Sequence, residues 1–193
     1  MRAFIAAGAL LAVSFANAQI DVVTERYDDV RTGANLAETT LNTSNVNVDS
    51  FGKLWSYTVS GSVYAQPLYV RNVDIAGGTH NVLYVVTMND IVYAFDADSG
   101  DDTPLLTLDV TSMVVPNSIP VPVRDILGFD DNIIGNVGIE STPVIDLATN
   151  TMYFVARTEE PGGAGCTPNN ETRCVQRLHA IDIRTLEEKP GSP

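Results

Sequence analysis

The chain has 193 residues, a length that corresponds to one domain or slightly more. Its 24 acidic side chains outnumber 11 basic ones, which gives a formal net charge of -13. This balance excludes nearly all nucleic-acid binders, because the neutralisation of phosphates requires clustered lysine and arginine. Hydrophobic residues make up 45% and charged residues 18% of the chain, a composition typical of a folded globular protein rather than a disordered one.

Residues 1–18 have the features of a secretory signal peptide. Arg2 precedes an apolar stretch over residues 3–15, and small residues follow it up to Ala18. We expect cleavage near Ala18 and a periplasmic or extracellular location. A membrane helix is the alternative interpretation, but the stretch is shorter than the roughly 20 apolar residues that span a bilayer. No later segment is long and apolar enough to span one, so we expect no membrane span.

Export determines how the two cysteines are interpreted. Cys166 and Cys174 lie close together in a segment rich in glycine, proline and asparagine. Outside the cytosol, two such cysteines in one loop are expected to form a disulfide. A metal site is the alternative, although no histidine or second cysteine pair lies near enough in the sequence to complete it.

The rest of the chain has the pattern of an all-β fold. Residues 19–53 are polar and rich in turn residues, and we interpret them as an N-terminal arm. Short segments rich in Val, Ile, Tyr and Thr then recur between turns. The predicted strands, in chain order, are 54–59, 66–70, 81–88, 91–96, 105–110, 142–146, 151–157 and 175–183. Loop insertions are predicted at 112–138 and 161–173.

These predicted strands form a repeat. The matching residues, in the same order in both copies, are Pro67 with Pro143, Tyr84 with Tyr153, Ala94 with Ala180, and Asp96 with Asp182. The pattern indicates one unit of about four strands that occurs twice. A unit that cannot cover its own faces must stack on copies of itself.

The stretch LYVVTMNDIVYAFDADSG, residues 83–100, resembles the repeat of the pyrroloquinoline-quinone (PQQ) type β-propellers, the quinoprotein alcohol dehydrogenase-like family. That repeat contains an apolar-Tyr-Val strand, a polar turn, a Tyr-Ala-Leu-Asp strand, a Thr/Ser-Gly turn and a Trp. The arm segments YDDVRTGANL and NVNVDSFGKLWSYTV also look like the start of such propellers. This chain lacks the Trp that usually docks one blade on the next, and Leu186 replaces the turn glycine in the second repeat.

The resemblance implies propeller blades of four antiparallel strands, with residues 54–193 forming about two of them. Propellers typically have 4–8 blades of about 40–50 residues each. We therefore expect the chain to be an N-terminal part of a larger propeller, with further blades. Alone, such a part would leave unpaired strand edges and an apolar blade face in water.

Four aspartates are weaker candidates for a calcium site: Asp96 and Asp98 in an acidic turn, and Asp130 and Asp131 in the first insertion. The turn lacks the ligand spacing of an EF-hand. We favour hydrogen bonds to turn amides for the first pair and a solvated acidic surface for the second.

Neither histidine is interpreted as catalytic. His179 occupies the position that Tyr93 fills in the first repeat, which indicates a packing role. His80 lies between predicted strands and is interpreted as a solvated turn residue, because no triad pattern surrounds it.

The resemblance therefore implies the scaffold and not the activity. The adjacent cysteine pair of the PQQ dehydrogenases is absent, and no residue can be assigned as their aspartate base. We expect an exported, non-catalytic binding or scaffolding domain, with an unidentified protein or polysaccharide as its ligand. Two alternatives stay open. One is the N-terminal part of an alcohol or sugar dehydrogenase that uses PQQ and calcium, and the other is a cell-surface adhesion or polymer-binding module.

Overall fold

A computed structural model describes residues 20–111, 113–127, 132–162, 166 and 174–193. The predicted signal peptide, residues 1–18, lies outside these described residues. The described chain contains nine strands and one short helix: β1 (Leu68–Ile75), β2 (Gly78–Val86), β3 (Ile91–Asp96), β4 (Leu106–Asp109), β5 (Ile119–Pro122), α1 (Val123–Leu127), β6 (Asn136–Val137), β7 (Val144–Asp146), β8 (Thr151–Glu159) and β9 (Cys174–Asp182). The prediction of an all-β fold is confirmed.

The first sheet is an antiparallel meander in the order β1-β2-β3-β4. Ala76 and Gly77, both with positive φ, form the tight turn between β1 and β2. The sequence predicted a longer connection here. Both strands extend further towards this turn than predicted. His80, predicted as a turn residue, consequently lies within β2. That prediction was wrong because the turn needs only two residues.

The second sheet has five strands and is built around β8. Strand β9 pairs with β8 along the whole of its length, from Thr151 with Asp182 to Glu159 with Cys174. The other edge of β8 is shared between two short strands. β7 pairs with its beginning and β5 with its end, and β6 adds to β5.

The strand register repeats in the two sheets. Tyr84 pairs with Leu68 on one side and with Ala94 on the other. The matching residue of the second copy, Tyr153, pairs with Val144 and Ala180 in the same way. The sequence repeat therefore corresponds to a repeat of backbone pairing.

The chain returns to the third strand of the first unit and to β9 with an equivalent backbone hydrogen bond in each case. The amide of Leu105 donates to the carbonyl oxygen of Ala94 at 2.8 Å, and the amide of Lys189 donates to that of Ala180 at 2.8 Å. Lys189 thus takes the place of Leu105, and a turn follows it, in which the amide of Ser192 donates to the carbonyl oxygen of Lys189 at 3.1 Å.

The main core lies between the two sheets. Its buried members are Ala65, Leu68, Val70, Val73, Ile75, Val82, Tyr84, Val86, Val92, Ala94, Val110, Ile139, Ile145, Met152, Phe154, Ala156, Ile181, Ile183 and Leu186. One hydrogen bond crosses this core: the buried Tyr84 hydroxyl donates to the carbonyl oxygen of Ile183 at 2.8 Å. Because apolar packing is not directional, this bond helps to fix how one sheet sits on the other.

The start of the described chain ties the two sheets together. Val22 exchanges two backbone hydrogen bonds with Tyr69 of β1, at 2.7 and 3.0 Å. The next residue, Val23, accepts a hydrogen bond from the amide of Ile145 in β7 at 2.8 Å. Most of residues 20–53 consist of turns and irregular segments, but this short piece pairs with both sheets.

Residues 54–59 do not form the predicted strand. Instead, Tyr57 and Val59 pack on the face of the first sheet that points away from the core, against Val85, Tyr93 and Phe95. The ring centroids of Tyr57 and Phe95 are 4.5 Å apart. The segment crosses a sheet face instead of extending a sheet edge, because its apolar side chains are needed to cover that face.

The insertion at 112–138, predicted as a loop, contains β5, α1 and β6 among its described residues. Val121 and Val123 are fully buried, and β5 fills the edge of β8 that β7 leaves open. The sequence did not reveal this strand because Pro120 and Pro122 are unfavourable in a sheet except at edges.

We expect Tyr84→Phe to lower the free energy of unfolding by about 1–2 kcal/mol, because it removes the inter-sheet hydrogen bond and leaves a buried carbonyl group without this donor. The matched control is Tyr153→Phe, which changes the equivalent residue on an exposed surface and should have almost no effect. Urea denaturation measures both. Equal losses for the two variants would contradict the role given to the Tyr84 hydroxyl.

Candidate functional site

The face of the second sheet that points away from the core carries several exposed apolar side chains. We call it the outer face and define it by four side chains: Val144 (45% exposed), Tyr153 (39%), Val155 (37%) and Leu178 (60%). They lie in adjacent rows, because Val144 pairs with Tyr153 and Val155 with Leu178. The result is a contiguous apolar patch on an ordered sheet, which is typical of an interaction surface.

The local sequence explains why this face is apolar. In the segment TMYFVA of β8, Met152, Phe154 and Ala156 point into the core. The intervening Tyr153 and Val155 therefore point outwards, since successive side chains of a strand alternate between faces. A strand that is apolar on both faces is typical of a sheet that is covered on both sides.

Two open depressions border the patch. One, of about 470 Å³, lies beside Val155 and is lined by polar groups that include Glu140, Arg157 and Gln176. The other, of about 540 Å³, lies beside Tyr153 and Leu178. Both are open surface features, and together they give an apolar strip with a polar margin on one side, the general layout of a protein-binding surface.

A buried carboxyl group lies beneath the first depression. Asp90 is 0% exposed, and the backbone amide of Arg157 lies near its carboxyl group. Gly138 lies directly against it, because a Cβ atom there would be 2.6 Å from Asp90 Oδ1 and from the carbonyl oxygen of Met88. The carboxyl group thus sits where the β2–β3 turn of the first sheet meets the second sheet.

Burial raises the pKa of Asp90 to about 8; the nearby backbone amide of Arg157 partly opposes this shift and the charge of Asp109 adds to it. Removal from water favours the neutral, protonated form of a carboxyl group. Shifted carboxyl groups occur in catalytic sites, but this one is sealed from solvent. The arrangement therefore favours a structural role for Asp90, in which protonation of its carboxyl group is coupled to the packing of one sheet on the other.

The predicted calcium candidates Asp96 and Asp98 lie in the turn after β3, where each accepts hydrogen bonds from the protein. Asp96 accepts from the amide of Asp98 at 3.0 Å and lies 2.8 Å from His80 Nδ1. Asp98 accepts from the Asn81 side chain at 2.7 Å. The Asp98 amide, followed by His80, lowers the pKa of Asp96. The interpretation as turn-stabilising residues agrees with this geometry.

Asp130 and Asp131 lie outside the described residues, so the structure does not place them near Asp96 and Asp98 or apart from them. Within the described part of the chain, no group of three or more His, Cys, Asp and Glu side chains has the arrangement of a metal site.

His179 is a packing residue. It is 2% exposed, its ring stacks on Phe154 with 5.2 Å between centroids, and its Nδ1 atom lies 3.1 Å from Glu188 Oε2. The position matches Tyr93, which is also buried. His80 is not the solvated turn residue that the sequence indicated, because its strand position places it against Asp96.

Cys166 and Cys174 form the predicted disulfide, with their Cα atoms 5.4 Å apart. Cys174 is the first residue of β9 and pairs with Glu159, so the bridge joins the second insertion to the end of the β8–β9 hairpin. A disulfide indicates an oxidising environment, as is usual for exported proteins.

Sequence reasoning did not identify the residues of the outer face, and it missed Asp90. The signal for the outer face was present in the uninterrupted apolar segment of β8. Asp90 carried no such signal, because an Asn-Asp turn between two strands is ordinary surface chemistry.

Comparison of the chain with protein-family models, with curated proteins and with solved structures gave no match. None of the helices in the described ranges has the length and apolar character needed to cross a membrane.

We expect Asp90→Asn to change how stability depends on pH. The unfolded chain ionises Asp90 near the ordinary pKa of 3.8, whereas the folded chain keeps the proton up to about pH 8. The stability contributed by this group is therefore complete below about pH 4 and is lost as the pH rises towards about 8. The side-chain amide that replaces the carboxyl group stays neutral at every pH. The free energy of unfolding of the variant, relative to that of the wild type, therefore rises by up to about 1.4 kcal/mol per pH unit across this range.

Urea denaturation at several pH values measures this difference. The control is Asp101→Asn, because the amide of Thr103 lowers the pKa of Asp101 and its carboxyl is ionised in both states over the same range. The difference in free energy of unfolding between Asp101→Asn and the wild type should stay constant across this pH range. A constant difference for Asp90→Asn as well would contradict a buried, protonated carboxyl group.

Removal of the disulfide by the double change Cys166→Ser and Cys174→Ser should lower the free energy of unfolding by roughly 2–3 kcal/mol, the loop-closure value for a bridge across so few residues. Denaturation of the wild type with and without a reducing agent should give the same loss. The double variant should not respond to the reducing agent. If the reduced wild type is as stable as the oxidised protein, the bridge has no stabilising role.

Proposed function

We propose that this chain contributes two successive blades of a PQQ-like β-propeller and serves as an exported, non-catalytic binding or scaffolding domain. The observation that carries the proposal is the repeated register, in which Tyr84 and Tyr153 take the same place between their neighbouring strands. Two such sheets packed face to face are what a propeller requires of consecutive blades.

The polar groups of the chain also support a scaffold, because the geometry gives them structural tasks. Asp96 and Asp182 end equivalent strands, and each accepts a hydrogen bond from the amide two residues later, at 3.0 and 2.9 Å. Arg184, whose guanidinium group is the main cause, lowers the pKa of Asp182 to about 2. These carboxylates hold turns and are already engaged by the protein.

The disulfide and the predicted signal peptide support an exported location. Together with the acidic charge of -13, they favour a ligand outside the cytosol that is not a nucleic acid. A protein or a neutral polysaccharide fits this description, and the outer face and its polar margin supply the surface for it.

The test is to mix the purified chain with PQQ and calcium and to follow two readouts. The first is the fluorescence of the only tryptophan, Trp55, which reports binding of the quinone. The second is dye-linked oxidation of alcohols and sugars. We expect no saturable quenching and no oxidation, whereas saturable quinone binding, with or without oxidation, would support the dehydrogenase alternative instead.

A parallel assay measures co-sedimentation of the chain with insoluble neutral polysaccharides. Saturable binding without oxidation supports the binding domain and identifies its ligand class. The matched variant is Leu178→Ser, which should weaken binding if the outer face is the contact surface, while Leu41→Ser, at a comparably exposed leucine of the arm, should not.

A further inference from the structure

The arm contains a three-residue pattern that neither the fold nor the proposed function uses. Asn42, Thr43 and Ser44 form an Asn-x-Ser sequence, which is the acceptor pattern for N-linked glycosylation of secreted proteins when the middle residue is not proline. Among the described residues, Asn42 is the one asparagine that a serine or threonine follows two positions later. The other such pattern in the sequence begins at Asn170 and lies outside the described residues.

The structure places Asn42 on an accessible part of the arm. Residues 41–50 are all exposed. The hydrogen bonds found for residues 35–51 join residues of that same range, so this part of the arm is bonded to itself and to neither sheet among the described residues. A large group attached to the Asn42 side chain would therefore project into solvent without displacing a hydrogen bond of either sheet.

The hydrogen bonds of Asn42 are compatible with a substituent on its side-chain nitrogen. Its Oδ1 atom accepts from the amide of Ser44 at 2.9 Å and from the hydroxyl of Ser44 at 2.5 Å. Its Nδ2 atom donates to the carbonyl oxygen of Thr40 at 3.4 Å, which is long for a hydrogen bond. A glycosylated carboxamide keeps its oxygen and one of its two N–H hydrogens. The modification can therefore leave all the bonds of this turn in place.

The surroundings of Asn42 also favour a carbohydrate. Three apolar side chains near it in the sequence are exposed: Leu41 (48%), Val46 (43%) and Val48 (94%). Val46 belongs to the same turn, because its amide donates to the carbonyl oxygen of Asn42 at 3.0 Å. An N-linked oligosaccharide is bulky and strongly hydrated, so at this position it would shield apolar surface that the rest of the described chain leaves in water.

We propose that Asn42 is an acceptor site for N-linked glycosylation, with an oligosaccharide carried on a lipid pyrophosphate as the donor. The Nδ2 atom of Asn42 forms a bond to the anomeric carbon of the first sugar and loses one proton to a base of the transferring enzyme. The bond between that carbon and the pyrophosphate oxygen breaks, and the lipid pyrophosphate leaves. This inference rests on the exported location in the proposed function, because the pattern is modified in secreted chains.

The test is to express the full chain in a eukaryotic host that has this transferring enzyme, once with its own residues 1–18 and once with a signal peptide of the host in their place. Cleavage by trypsin after Arg31 and Lys53 gives a peptide, residues 32–53, in which Asn42 begins the only Asn-x-Ser/Thr pattern. We expect this peptide to carry a sugar that peptide N-glycosidase removes, with conversion of Asn42 to aspartate. A secreted chain whose peptide is unmodified would overturn the inference.

Four variants of the two residues after Asn42 test the assignment. Thr43→Pro and Ser44→Ala should abolish the modification of the peptide, because each destroys the acceptor pattern. Thr43→Ala and Ser44→Thr keep the pattern and should be glycosylated as the wild type is. Equal glycosylation of Ser44→Ala and the wild type would mean that the sugar is not attached through this pattern, and would overturn the assignment of Asn42.

The two signal peptides separate this inference from the proposed function. If only the chain with the signal peptide of the host is secreted and glycosylated, the assignment of Asn42 holds and the predicted export by residues 1–18 fails. If both chains are secreted and the peptide is unmodified in both, the export holds and the assignment of Asn42 fails.

Discussion

The contact between the two sheets is the constraint on which the rest of the structure depends. The faces that meet there consist of aliphatic side chains from both copies of the repeat, whose packing could tolerate more than one relative position. The Tyr84 hydroxyl is directional, and its bond to the carbonyl group of Ile183 selects one position. Asp90 lies at the edge of the same contact, where its carboxyl group is pressed between the β2–β3 turn and Gly138. Apolar packing thus supplies most of the attraction, and a few buried polar groups determine the geometry.

Equivalent residues in the two copies have different environments because each copy has different neighbours. Tyr84 is buried under the second sheet while Tyr153 is exposed, although their strand pairing is the same. Tyr93 lies beneath the arm, and its counterpart His179 is enclosed by Phe154 and Glu188. The strand register is therefore the same in both copies of the unit, whereas the burial of a residue depends on what packs against its copy. This distinction explains why one apolar pattern can form a core in one place and an exposed surface in another.

The sequence predicted the strands whose side chains face a core and missed those that depend on distant partners. Strand β3 was predicted with its observed ends because its residues are apolar and turn residues flank it. Strand β5 was missed because it forms only against the end of β8, about 40 residues later in the chain. The segment at 54–59 has the composition of a strand but packs across one face of the first sheet. No local sequence pattern distinguishes a segment that forms a strand from one that covers a sheet face. Asp90 was missed for the same reason, since its burial depends on Gly138 and β8.

The remaining question is why the chain keeps an apolar surface on an ordered sheet. Exposed β-sheet surfaces favour aggregation, and a strand such as β8 could carry polar residues at its outward positions without loss to the core, because side chains on the two faces of a strand do not touch. The residues at Tyr153 and Val155 therefore contribute little to the two-sheet body by themselves. Their presence is explained if the outer face is a contact surface, because an apolar patch on an ordered sheet is typical of one.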